Sequence, residues 1–137
     1  MSGRIPGERA DLMAALRTAL SDARFAYVYG SLLTSGFNDE SDVDVGADFG
    51  HRLGFDELDE VRHRCTEATG RDVDLVDLYA ADPIIRMQIV RYGEPVVVND
   101  RTAAATFAMR AVGEYLDLKI DRRAVEAAMR EPHAAGR

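Results

Sequence analysis

Two aspartates that alternate with valines, in Ser41-Asp42-Val43-Asp44-Val45, constrain this chain more than any other feature. Side chains of a β-strand alternate faces, so residues two apart point the same way at roughly 6 to 7 Å. Asp42 and Asp44 therefore share one side of a strand, with Val43, Val45, Ala47 and Phe49 on the other. The apolar side needs a core, and the acidic side is left for other work. A second apolar run, Asp72-Val73-Asp74-Leu75-Val76, holds Asp74 between Val73 and Leu75, where a neighbouring strand would bring it to the first pair. Three converging carboxylates repel one another, and one would keep its proton unless a cation is supplied. Mg²⁺ suits such a site, because it takes oxygen ligands from one or two carboxylates together with substrate phosphates. Two ions about 4 Å apart would steady both the attacking and the leaving oxygen of a phosphoryl displacement, and the third carboxylate could accept the nucleophile's proton. Upstream, Gly30 would let the backbone approach a phosphate closely, and Ser31 would offer a hydroxyl and an N–H at a helix start.

These residues resemble the minimal nucleotidyltransferase family, a small branch of the DNA polymerase beta-like superfamily. Its signature is Gly-Ser, a spacer, Asp-x-Asp and a third Asp on a later strand, present here as Gly30-Ser31, Asp42-Val43-Asp44 and Asp74. The resemblance runs from about Arg24 through Lys119 and includes the tail Tyr115-Leu116-Asp117-Leu118-Lys119. It implies that Asp42, Asp44 and Asp74 form the catalytic and metal site, with two Mg²⁺ ions and ATP as substrate. It implies also that Asp74 acts as, or positions, the general base, and that Gly30 and Ser31 bind the nucleotide. The turn after Gly-Ser departs from the family: arginine is common there, and this chain has Leu32-Leu33-Thr34. Arg86 or Arg91 could supply positive charge instead.

Gly-Ser alone, or Asp-x-Asp alone, carries little weight; the ordered set carries much more. The plain alternative makes Asp42 and Asp44 solvated edge-strand charges that discourage aggregation, and Asp74 a lone buried acid. Among the neighbouring acids, Asp72 shares the parity of Asp74 but follows Gly70-Arg71, which suits a solvated or capping role. Asp77 has the opposite parity. Asp48 lies on the face of Asp42 and Asp44 near the strand's end, where a supporting or solvent-facing role is expected.

At 137 residues and 47% hydrophobic, the chain can bury a core without disulfides. A single cysteine excludes an internal disulfide and suits a reducing cytoplasm. Cys65 falls with Leu58, Val61 and Ala68 at helical spacing and reads as core. The N-terminal residues lack the apolar run of a signal peptide, and no stretch approaches a membrane span, so a soluble cytoplasmic protein is expected. A net charge of -7 argues against duplex DNA as a partner. The acidic excess is local: fourteen acids against four arginines between Gly36 and Asp82, ten acids against thirteen basic residues elsewhere. Part of it is a helix rich in Asp56, Glu57, Asp59 and Glu60, read as a solvated face. His51, His63 and His133 show no metal-ligand spacing and are assigned to surface or packing roles.

Periodicity predicts helices over 8–21, 56–70, 83–93 and 101–130, the last straight or bent, and strands over 25–29, 42–49, 72–79 and 95–98. Asp56 is the expected N-cap of the second helix and Gly70 its stop; Asp82-Pro83 opens the third. Pro95 places the last strand at an edge. The whole chain, 1–137, is read as one domain with its core over about 8–99 and a C-terminal helical segment over about 101–130; Pro132 to Arg137 read as a low-complexity tail. Alternating elements give an α/β or α+β class, and the resemblance selects a mixed sheet with helices packed on one side and a C-terminal helical tail. Phe107, Ala111, Tyr115 and Leu118 form a stripe on that tail that covers either the domain's own core or a partner, with Arg122, Arg123 and Arg130 as a basic patch.

Three functions fit. The leading one is a transferase that moves AMP, or another NMP, from a nucleoside triphosphate to a tyrosine hydroxyl of a HEPN-domain ribonuclease toxin, which makes this chain the antitoxin of the pair; this partner is implied by the resemblance. The second is a small-molecule nucleotidyltransferase like the aminoglycoside-modifying enzymes, which usually add a sizeable C-terminal domain, whereas only about forty residues follow the last strand here. The third is an antitoxin that neutralises its partner by binding alone. Oligomeric state and base preference are not legible.

Overall fold

In this computed structural model, the backbone is described for residues 6–38 and 40–135, and the side chains for 8–38, 40–123 and 126–129. The elements run α1 (Pro6–Ala19), β1 (Phe25–Tyr29), a 3₁₀ turn (Gly30–Leu33), β2 (Val43–Asp48), α2 (Phe55–Thr69), β3 (Val73–Asp77), α3 (Pro83–Tyr92), β4 (Glu94–Val98) and α4 (Arg101–Ala135). The four strands form one mixed sheet in the order β3-β2-β1-β4. The pairs β1–β2 and β1–β4 are antiparallel, while β2 and β3, joined through α2, are parallel.

The helices cover both faces of this sheet, not one. Leu12, Leu16 and Leu20, the expected stripe, are buried with Val61 and Cys65 against Ala26, Val28, Val43, Val45 and Ala47. On the opposite face Phe25, Leu78 and Ile89 form a second core joined by Tyr27, Tyr29, Val76, Ile85 and Phe107. The reason is the alternation of β1 itself. Phe25, Tyr27 and Tyr29 put three aromatic rings on the face opposite Ala26 and Val28, and apolar area of that size requires a cover. α3 and α4 provide it, with Phe107 5.1 Å from Phe25, ring centre to ring centre.

Local signals hold with small displacements. Asp82 caps α3 through its Oδ1, which accepts the Ile85 N–H at 2.9 Å, and Pro83 takes the first helical position. Gly70 ends α2 in the left-handed conformation, φ 70°. The N-cap of α2 is Gly54 rather than Asp56, because Glu57 reaches back to accept the Gly54 N–H at 3.0 Å. Asp56 and Glu57 then lie in the first turn, where the helix dipole favours acids. β4 is an edge strand, as Pro95 requires, and a register shift between Ala26 and Tyr27 accommodates it. The last helix is one continuous element and runs to Ala135, which takes in part of the expected tail. Its Phe107 and Ala111 pack on the domain, whereas Leu116, Leu118, Ile120 and Met129 are exposed. Arg122 and Arg123 are also exposed; the side chains of Arg130 and His133 lie outside the described residues.

Candidate active site

The expected site residues gather where β1 ends and β2 begins. Gly30 turns the chain out of β1 at φ 74°, in the left-handed region where glycine is the unstrained choice. A Cβ at this position would run into Asp44 Oδ2. The turn is anchored from below by Leu32, which is fully buried in the core of α1 and α2. Leucine at this position packs inward and offers no charge to a phosphate. Ser31 Oγ donates to the Asp42 carbonyl at 3.4 Å, so the turn and the start of β2 are joined through the two residues under consideration.

Strand pairing supplies the rest. Asp44 lies opposite Asp74 in the parallel register of β2 and β3, and opposite Tyr29 in the antiparallel register of β1 and β2. Paired residues share a face, so Tyr29, Asp44 and Asp74 stand in a row across the sheet. Asp42 precedes β2 by one residue, and the adjacent Val43 N–H donates to the Asp72 carbonyl at 2.9 Å. Asp42 and Asp74 are exposed, and Asp44 is half-buried.

The electrostatics follow from that row. Burial, then Asp74, then Asp42 raise the Asp44 pKa above its ordinary value. The Tyr29 phenol is pushed up to about 12 by burial and then by Asp44 and Asp74. Asp44 makes no ion pair among the described residues, and the charges that act on it are two more acids. Oxygen donors of this kind suit a hard divalent cation. Among the described residues, no group of three or more His, Cys, Asp or Glu side chains is arranged to hold a metal ion by itself. A cation held jointly by carboxylates and nucleotide phosphates does not require such a group.

The other acids divide from these three. Asp48 is 4% exposed and is neither solvent-facing nor a support for the carboxylate row: its Oδ1 accepts from Arg24 Nε–H at 2.8 Å and from the Gly50 N–H at 2.7 Å. Asp77 clamps the loop to α2, accepting the Leu53 N–H at 2.9 Å. Asp72 is exposed. Arg86 is committed to Glu114 at 3.1 Å and to the Tyr79 carbonyl at 2.9 Å, which removes it as a source of free positive charge. Arg91 is exposed at the end of α3 beside Tyr92. Cys65 is buried, with its thiol pushed up to about 11 by that burial, and is a packing residue. His51 pairs with Glu57 at 3.1 Å on the surface. A cleft of about 570 Å³ opens beside Arg24, Asp48, Tyr79, Arg86 and Arg110, and contains none of Asp42, Asp44 or Asp74.

Sequence reading missed Gly46. It stands between Asp44 and Asp48 on the same face, and a Cβ there would lie 2.8 Å from Leu78 and 3.2 Å from Ile89. A glycine amid strand-forming residues was the available signal, since it often marks close approach of another element. Arg24 was also missed; its position just before β1 becomes meaningful only once β1 pairs with β2.

Comparison with known proteins identifies the family and the fold. Residues 13–102 match the polymerase beta nucleotidyltransferase domain. The chain is 27% identical over 115 residues to the protein adenylyltransferase MntA of Shewanella oneidensis, covering 80% of this chain and 78% of that one. Its fold is similar to that of a chain in a crystal structure of a toxin–antitoxin with AMP-PNP, with a TM-score of 0.71, 23% identity and coverage of 88% and 97%. It is likewise similar to a chain in a structure of tri-AMPylated Shewanella oneidensis HEPN toxin in complex with MNT antitoxin, with a TM-score of 0.65, 23% identity and coverage of 88% and 94%. With a strand-borne row of carboxylates beside a Gly-Ser turn, and with the family pattern spanning the sheet that carries them, the chain belongs to the polymerase beta nucleotidyltransferase family.

Proposed function

We propose that this nucleotidyltransferase moves AMP, or another NMP, from a nucleoside triphosphate to a tyrosine hydroxyl of a HEPN-domain toxin, and thereby acts as its antitoxin. The observation that carries the reading is the facing pair Asp44 and Asp74 beside the side-chain-free Cα of Gly30. Acids that face one another, with a carboxylate packed against the bare Gly30 backbone, make sense if cations arrive with the substrate. Asp42, Asp44 and Asp74 would hold two Mg²⁺ ions, which would neutralise the triphosphate and the charge that develops in transfer. The Gly30 backbone and Ser31 would seat the phosphates. The acceptor oxygen bonds to the α-phosphorus as the bond from that phosphorus to the bridging oxygen breaks, and pyrophosphate leaves. Asp74 would take or direct the hydroxyl proton, a role supported by its exposure on the outer strand.

The protein acceptor is supported by the likeness to MntA, named a protein adenylyltransferase, and to chains in complexes with HEPN toxin. Among the described residues no helix is long and apolar enough to cross a membrane. The test is incubation with labelled ATP and Mg²⁺, with and without the candidate HEPN partner, followed by intact mass. AMP units are expected on the partner and should vanish in Asp42→Asn with Asp44→Asn. A stable complex with no added mass would mean neutralisation by binding alone.

A further inference from the structure

Asp42 is the one proposed ligand that no strand holds. β2 begins at Val43, and the described residues ahead of it, 34–38 and 40–41, are largely exposed. An acid at the end of such a stretch would wander unless the stretch were tied down. The tie is Arg71, three residues before Asp74. Its Nη1–H donates to the Asn38 carbonyl at 2.8 Å and to the Ser41 carbonyl at 3.2 Å, and its Nη2–H donates to Glu8 Oε2 at 2.7 Å. The guanidinium also lies 4.4 Å from the centre of the Phe37 ring. The side chain is only 12% exposed, so these bonds form away from most solvent screening.

The two residues that Arg71 grips are already bonded to each other. The Ser41 N–H donates to the Asn38 carbonyl at 3.1 Å, and the Asn38 N–H donates to Ser41 Oγ at 3.0 Å. Gripping Asn38 and Ser41 therefore fixes the residue next to Asp42. On its other side, Asp42 is bounded by Ser31 Oγ on its carbonyl and by the Val43–Asp72 bond. Arg71 thus links the loop that delivers Asp42 to the strand that delivers Asp74.

We infer that Arg71 is a positioning residue that sets Asp42 at its distance from Asp74 by clasping the carbonyls of Asn38 and Ser41. This rests on the reading of Asp42 as a metal-holding carboxylate. A planar guanidinium can reach the two carbonyls and Glu8 together, whereas a lysine ammonium cannot reproduce that fork. Residues that orient metal-holding groups typically contribute 10- to 100-fold in affinity.

The test is calorimetric titration of the full chain with a non-hydrolysable ATP analogue, with and without Mg²⁺; the readout is the gain in affinity that Mg²⁺ brings. Arg71→Lys is expected to lose about tenfold of that gain with little change in melting temperature, and Glu8→Gln, which spares both carbonyl bonds, is expected to keep it. In Asp42→Asn the gain falls outright, and adding Arg71→Lys should then cost almost nothing more, because the two act through one group. Phe37→Leu, which loosens the guanidinium without removing it, should lose a smaller part of the gain and serves if Arg71→Lys does not fold. A wild-type gain in Arg71→Lys, or penalties that add fully with Asp42→Asn, would overturn the positioning role while leaving Asp42 a ligand. A wild-type gain in Asp42→Asn would overturn the ligand reading and the clasp with it.

Discussion

Asp44 and Asp48 occupy one face of one strand four residues apart, and they meet opposite fates. Asp48 is buried, answered by Arg24 and by the Gly50 N–H. Asp44 faces Asp74 with no ion pair among the described residues, its carboxylate in the space that a Cβ on Gly30 would fill. Between them Gly46 lets Leu78 and Ile89 settle on the strand and divide the two ends. An acid with its own arginine is frame. Acids that face each other repel, and that repulsion is tolerable because Asp74 is exposed and Asp44 only half-buried; in the proposed function a cation brought with the nucleotide would relieve it.

The division predicts different responses to equal changes. Asp44→Asn should lower the nucleotidyl transfer rate by about a thousandfold or more, equivalent to about 4 kcal/mol of barrier. Asp48→Asn should transfer near the wild-type rate well below its melting temperature. Equal loss in both variants, measured by single-turnover kinetics, would break the comparison. On stability the order reverses: Asp48→Ala should cost about 2 kcal/mol in urea unfolding, since it strands Arg24 and the Gly50 N–H, with the penalty moderated because Arg24 is 40% exposed. Gly46→Ala should cost about 1 to 2 kcal/mol by pushing a methyl into Leu78 and Ile89. A neutral result there would mean that α3 can shift and that the two ends are not rigidly separated.

The smallest effect concerns pH. Asp44 has a folded pKa raised above its ordinary value, so the folded state holds its proton more tightly than the unfolded chain does. The cost of charging it is absent below the unfolded pKa, grows as pH rises through the folded pKa, and is fully present above it. Asparagine never carries that charge. Asp44→Asn should therefore melt slightly above wild type at pH 7, by about 1 to 3 °C, with the advantage fading toward pH 4. Scanning calorimetry across that range checks the sign, and an advantage that grows toward acid would contradict the electrostatics of the row.

Much of this was legible in the chain. The alternation through Val43 to Ala47 gave a strand with acids on one side, Asp82-Pro83 marked a helix start, and Pro95 marked an edge. Helix coverage of the second face was not legible, although the aromatic parity of Phe25, Tyr27 and Tyr29 contained the hint. Asp48 was misjudged because parity records a face and not what stands opposite. Its partner Arg24 is distant in sequence and meets it only through antiparallel pairing.

Local chemistry, then, determined by itself which residues turn, which alternate and which acids share a face, since backbone sterics and side-chain period act over a few residues. Tertiary structure alone decided which acids are neutralised. Register set Asp44 against Asp74, helix packing enclosed Asp48 with Arg24, and Arg71 joined the loop before Asp42 to the strand bearing Asp74. Charge is felt through space, and the spacing between residues far apart in the chain exists only once the sheet has formed.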